Sequence, residues 1–283
     1  MIRRFIVPSL LATALLLGCD SGRAPEVREV ARPKPEPTPS VETEIRRRLE
    51  HGATLASPAA KEDAELAPLR HRFYAERRFA PAWSEEGWPL PSARAYLAAL
   101  ERAPSHGLEP WRYGPDTVVE LLGHMGGAPA APPEIADLDV LLTESLIRYA
   151  AHLSGGAARA EAKALGWPVA PLREDLLSAI ESMHSTRTFE ADLERLAPAH
   201  PQYELLRRAL AELRAIDARG GWPEIPPEPP IERGSTDPRI TLVRKRLAES
   251  GDWTAKVAGK ASLRLDDPLV KALRRFQKRH GLS

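Results

Sequence analysis

The sequence predicts an all-α chain, with a multi-helix domain followed by a small, truncated helical unit. Three observations predict it. Apolar residues recur at three- and four-residue spacing in one segment after another, the period of a helix with one buried face. No stretch alternates apolar and polar residues convincingly with the period of two that a half-buried strand requires, although Gly221–Ile231 reads as extended. Asp-Pro, Ser or Asp at the starts and Gly at the stops bracket the periodic segments.

Residues 1–18 read as a targeting segment and stand outside the fold. Arg3 and Arg4 supply its positive start, and Phe5–Leu17 is an apolar run too short to span a bilayer comfortably. Leu16-Leu17-Gly18-Cys19 has the form of a bacterial lipobox. The small Gly18 permits cleavage, and the Cys19 thiol then takes a diacylglyceryl group. Cys19 is the chain's single cysteine, which fits acylation better than a disulfide or a metal site. Acyl chains contribute roughly 0.8 kcal/mol per buried methylene, and a tri-acylated cysteine meets the need for more than one chain. The expected location is therefore the bacterial periplasm, with a membrane partner reached through the N-terminal lipid. Asp20 resembles the signal that retains such proteins at the inner membrane.

Residues 19–59 read as a Pro-rich tether. Pro25, Pro33, Pro35, Pro37 and Pro39 stand among charged residues, with too little apolar content for a core. In polyproline II form, Asp20–Ser40 reaches roughly 60 Å at about 3.1 Å per residue. Val41, Ile45 and Leu49 fall at four-residue spacing, so Val41–His51 is either a short helix or more linker.

The globular domain is expected over residues 60–226. Leu66, Leu69, Phe73 and Tyr74 predict a helix that breaks at Pro81, and four aromatics crowd into Phe73–Trp83. Ser92 stands where it can cap a helix carrying Ala93, Tyr96, Leu97 and Leu100, which runs to the turn at Gly107. Pro115-Asp116 opens another short helix through Leu122, and Gly123–Pro133 is a loop. Asp137 is placed to cap the clearest helix, with Leu138, Leu141, Leu142, Leu146, Tyr149 and Leu153 on one face and Ser154-Gly155-Gly156 as the stop. Leu172–Met183 and Phe189–Leu196 are further helical stretches. Tyr203–Ala218 is long, with Leu205, Leu206, Ala209, Leu210, Leu213 and Ile216 in register, and ends at Gly220-Gly221-Trp222-Pro223.

The last unit spans residues 231–283. Asp237-Pro238 starts a helix with Ile240, Val243 and Leu247 on its stripe and Gly251 as its stop. A second helix follows, with Asp267 as the expected cap, Pro268 at its first position, and Leu269, Val270, Leu273 and Phe276 apolar. Lys271, Arg274, Arg275, Lys278 and Arg279 cover the rest, and Gly281 sits at a left-handed C-cap with Leu282 folding back. Two short helices make a very small core, so a third element is expected after Ser283.

The residues Val270, Ala272, Leu273, Phe276, Gln277, Gly281 and Leu282 resemble the helix of the peptidoglycan-binding type 1 domain. That family continues into an Asp-Gly-x-x-Gly-x-x-Thr turn and a third helix not found in this sequence. A second resemblance covers about Ala60–Pro226, to the scaffold domain of the large periplasmic L,D-transpeptidases. Its carriers are Tyr74 with Pro81-Ala82-Trp83, Ala103 with Gly107-Leu108, Pro110 and Tyr113, Leu142-Thr143, Tyr149-Ala150, Leu153 with Gly155, Leu196 with Pro198, Tyr203 with Leu206, and Gly220–Pro226. The resemblance implies a part in peptidoglycan cross-linking. The family's enzyme attacks a stem-peptide amide with a cysteine thiolate in a Ser-x-Gly-Cys-x-Arg setting, which no residue here matches. The chain is therefore expected to be inert by itself: the non-catalytic part of such an enzyme or a stand-alone wall-binding adaptor.

Other chemistry finds little support. The eight histidines show no close metal-ligand spacing and read as surface or helix-end residues, His152 and His280 near helix C-termini. No P-loop, dinucleotide glycine run or G-x-S-x-G elbow occurs, so neither cofactor nor metal is expected. Glu85-Glu86 and Asp137/Asp139 read as caps or solvated charges rather than a glycosidase pair. Lys and Arg number 40 against 39 Asp and Glu, which argues against nucleic acid as a partner. The basic face of the last helix has a simpler use against an anionic wall polymer. Arg275, Gln277, Lys278 and Arg279 are the expected peptidoglycan contacts.

Overall fold

The computed structural model describes residues 39–51, 64–169, 171–185, 188–253 and 262–282. The targeting segment, Cys19 and the tether through Thr38 lie outside them. Eleven α-helices and one short hairpin, Ser84–Glu85 (β1) against Trp88–Pro89 (β2), make up the regular structure of the described residues, so the chain is all-α as expected.

The helical body is built around α5, Pro132–Gly155, which is buried almost continuously from Ile135 to Leu153. The sequence shows one apolar face, but Ile135, Ala136, Val140, Ile147, Ala150 and Ala151 cover the others, so this helix is enclosed on all sides. Asp137 does not cap it. The helix begins at Pro132, where Glu134 turns its carboxylate back to accept from Ala131 N at 3.0 Å, and Asp137 lies in the second turn. Gly156 stops it with φ +87°.

Val41–His51 (α1) does form a helix and packs along α5, so these residues belong to the body and not to the tether. Ile45 is fully buried. Arg48, only 3% exposed, donates to both Asp137 oxygens (2.6 and 2.9 Å), to Pro133 O (2.7 Å) and to Glu44. Asp137 is thus the anchor for α1.

Around α5 pack α2 (Ala67–Glu76), α4 (Pro115–His124) and α7 (Leu176–Ser185), while α3 (Pro91–Leu100) pairs with α8 (Phe189–Glu194). The short α6 is Arg159–Ala164. Ser92 is not a cap: α3 begins at Pro91 after Leu90, and the Ser92 hydroxyl is buried without a partner among the described residues. Two 3₁₀ turns, Ala103–His106 and Pro110–Tyr113, close on Gly107 and Gly114, both left-handed. α9, Pro201–Asp217, is capped by His200, whose Nδ1 accepts from Gln202 N at 3.2 Å. Of its apolar register only Ile216 is buried.

The C-terminal unit holds α10 (Ile240–Glu249) and α11 (Asp267–Arg279) around Ile240, Leu247, Trp253, Leu265, Leu269 and Ala272. A bridge between Thr236 and Arg264 ties the segment before α10 to the connection between the helices, part of which (254–261) lies outside the described residues. The cap of α11 is Asp266, one residue earlier than expected, accepting from Leu269 N at 3.0 Å. Asp267 instead meets Arg233 at 2.7 Å. Gly281 takes φ +67°, and Leu282 N donates to Gln277 O at 2.8 Å, the Schellman closure the glycine predicts.

Candidate functional site

The polar residues of α5 draw the body together. Asp139 is fully buried and accepts from Ala82 N (2.9 Å to Oδ1, 3.0 Å to Oδ2), from Trp83 N (2.9 Å) and from the Tyr74 hydroxyl (2.8 Å). One turn on, the Thr143 hydroxyl pairs with Tyr74 Oη at 2.8 Å and accepts from Trp83 Nε1 at 2.9 Å. Asp139 and Thr143 are four residues apart and share one helix face. The loop after α2 runs across that face and brings two backbone amides to the carboxylate. Burial pushes the Asp139 carboxyl up to about 6, against the pull of those donors. Burial also holds the Tyr74 phenol well above its usual range.

A second row lies further along α5. The Ser145 hydroxyl donates to Tyr113 O (2.6 Å) and pairs with the Tyr96 hydroxyl (2.7 Å), while the Tyr113 hydroxyl meets His152 Nδ1 (3.1 Å). Tyr113 stacks edge-on against Tyr149, ring centres 5.0 Å apart. His152 stands in the last turn of α5 as expected, but it is a buried core residue, 3% exposed, and not a surface one. His106 departs from expectation in the same way. Its side chain is almost fully covered, with Nε2 3.0 Å from Glu194 and Nδ1 2.8 Å from Tyr203 Oη, joining the first 3₁₀ turn to α8 and α9. Burial holds its imidazole below the ordinary value.

Both polar rows are buried, so they position helices; at the His106 junction Glu194 and Tyr203 are only partly covered. The carboxylates weighed as an acid pair do not converge: Glu85 and Glu86 are exposed on the hairpin, Asp137 holds Arg48, and Asp139 is enclosed. A mainly apolar groove of about 610 Å³ lies between α3 and α8, lined by Ala95, Ala98, Phe189 and Ala191, with Arg102 and Glu190 paired at its edge.

A family model described as Scaffold domain matches residues 69–210. The chain belongs to the Scaffold domain family. The matched span contains every member of both polar rows and of the His106 junction, so the geometry above is the interior of the scaffold domain. Helix α1 lies before the match and the C-terminal unit after it. A comparison with curated proteins returned no match.

Outside the scaffold domain, the residues expected to touch a wall polymer divide into two kinds. Arg275 donates to Asp252 O (2.7 Å), and Arg279 donates to Asp252 Oδ2 (2.6 Å) and Ser250 O (3.3 Å), so both brace α11 against the end of α10. Lys278 is exposed and Gln277 partly so. Sequence reasoning did not anticipate the joint between scaffold and C-terminal unit. Arg239 donates to Pro226 O (2.8 Å) and Pro229 O (2.6 Å), and the Arg246 guanidinium lies 3.5 Å over the Trp222 ring. The available signal was the Gly-Gly-Trp-Pro run beside an arginine-rich helix.

Proposed function

We propose that this chain is the scaffold and peptidoglycan-binding portion of a cell-wall L,D-transpeptidase, held at a bacterial membrane through acylated Cys19 and reaching the wall with its C-terminal unit. The scaffold role is the family's. The match over residues 69–210 carries the reading, and the Phe276-Gln277…Gly281-Leu282 helix, with Lys278 facing solvent and Gly281 in the left-handed cap, supports the wall-binding part. Acyl transfer needs a thiolate, and Cys19, the sole cysteine of these residues, is assigned to the lipid. The chain's own contribution is thus to bind and to place, not to cleave or join.

An adaptor with no transpeptidase activity is the second reading. It is favoured by the interior of the scaffold domain, where the buried polar side chains of α5 hydrogen-bond to neighbouring helices and loops. Co-sedimentation of the full chain with purified peptidoglycan sacculi tests the binding common to both. Binding that weakens as salt rises, and weakens again in Lys278→Ala, is expected. A chain that stays in the supernatant at low salt refutes it.

A further inference from the structure

From Tyr203 to Arg214, α9 meets the scaffold domain along one side, and beyond that stretch Ile216, on the side of the leucines, is buried. Tyr203 reaches His106, Arg207 reaches Glu194 and Arg214 reaches Pro104 O, with half-buried Leu210 between them. These residues fall at 203, 207, 210 and 214, a single stripe at helical spacing. The apolar stripe lies about a third of a turn away and faces outward. Leu205 is 62% exposed, Leu206 68% and Leu213 53%, with exposed Ala209 between them. A helix that binds its domain by its polar side and turns three leucines to solvent inverts the usual arrangement.

We propose that this face is a self-association surface, on which α9 of a second copy packs antiparallel. Charge selects that partner. Glu204, Glu212 and Asp217 balance Arg207, Arg208 and Arg214, so the helix has no net charge to draw it to an anionic lipid surface or to repel its own copy. The edge of the apolar stripe carries Arg208 and Glu212, and Arg208 is exposed, meeting its own Glu204 at 3.3 Å among the described residues. A two-fold axis between Ala209 and Leu210 sets Leu206 opposite Leu213 of the second copy and brings Arg208 beside Glu212 of that copy, twice over. Ala209 at the crossing lets the backbones approach. A parallel pair would instead set Arg208 against Arg208 and Glu212 against Glu212.

The test is cross-linking of the full chain carrying Ala209→Cys with a short bifunctional maleimide, the parent chain giving the background from Cys19. A species of twice the chain mass is expected above that background, and adding Leu213→Glu should abolish it. Arg208→Glu should lower its yield several-fold by setting like charges together, and Arg208→Glu with Glu212→Arg should restore it. These side chains are exposed, so an unchanged unfolding midpoint confirms that the fold survives. The proposal is overturned by no dimer, by a dimer indifferent to Leu213→Glu, by failure of the double reversal to recover, or by a cross-link to a different protein.

Discussion

Replacing Tyr74 by Phe removes one oxygen from the centre of the scaffold domain and leaves the ring in place. That hydroxyl donates to Asp139 Oδ1 at 2.8 Å and pairs with Thr143 Oγ1 at 2.8 Å. Asp139 keeps Ala82 N and Trp83 N as donors, and Thr143 still accepts from Trp83 Nε1, while its proton, which loses Tyr74 Oη, can turn to the helix carbonyl one turn back. The loss is one hydrogen bond to an ionised acceptor, worth about 1.5–3 kcal/mol, and the void of a single oxygen adds little. With a carboxyl that titrates at about 6, the bond is charge-assisted near pH 8 and neutral near pH 5. A neutral bond is worth about 1 kcal/mol, so the penalty should fall by half or more on acidification. Urea unfolding followed by tryptophan fluorescence reads this directly, since Trp83 is fully buried against the altered site. The expected loss near neutral pH is about 2 kcal/mol, or about 4–8 °C in Tm for a domain of this size. A loss below about 0.5 kcal/mol, or one that does not change with pH, refutes the reasoning.

Asp139 itself should tilt the pH profile. Its carboxyl is raised from 3.8 to about 6 in the fold, so between those values the folded chain binds a proton the unfolded chain lacks. Stability from this group therefore rises as pH falls from about 6 to about 4, by about 3 kcal/mol at 1.4 per unit, and Asp139→Asn should remove that slope. Glu44, Asp252 and Asp266 are held below the ordinary carboxylate range: hydrogen bonds from Arg48 and Arg47 do this for Glu44, and donors outweigh burial for the two aspartates. Their contribution is present above that range and is lost as pH falls through their lowered values, so acid unfolding should begin below about pH 4. Arg48→Met should leave Asp137 without its cation and Glu44 with Arg47 alone, costing about 3–5 kcal/mol and exposing α1 to proteolysis in native conditions. Gly281→Ala should cost about 1 kcal/mol, because Gly281 holds φ +67°, and the loss should appear as fraying of α11 in amide exchange.

Much of the fold can be read from the chain, and the misses share a cause. Periodicity finds α3, α4, α9, α10 and α11 because each shows an apolar stripe and a Gly or Pro boundary. It misplaces the starts of α5 and α11, since Asp137 and Asp267 carry the chemistry of a cap but pair with Arg48 and Arg233. The competition between capping and a distant guanidinium is decided by tertiary contacts that no local window contains. The polar core is hidden for the same reason. Asp139, Thr143, Ser145 and His152 stand on a helix whose apolar residues announce burial, and their partners lie 30 to 70 positions away. A buried helix with polar residues at i and i+4 is nevertheless a readable sign that another element supplies donors. α9 is the reverse case: the stripe is genuine, but the body binds the opposite side, and nothing in the sequence says which side wins. The expected wall contacts divide likewise. Arg275 and Arg279 are exposed, as a helical wheel suggests, and also hydrogen-bond to Asp252, which no wheel shows.

The most direct test of the account is amide hydrogen exchange on the full chain, with and without soluble fragments of peptidoglycan. Slower exchange confined to the C-terminal unit, centred on Leu269–Leu282, with the scaffold domain unchanged, is the result the account predicts. No slowing anywhere in the C-terminal unit, or slowing confined to residues 69–210, would contradict it.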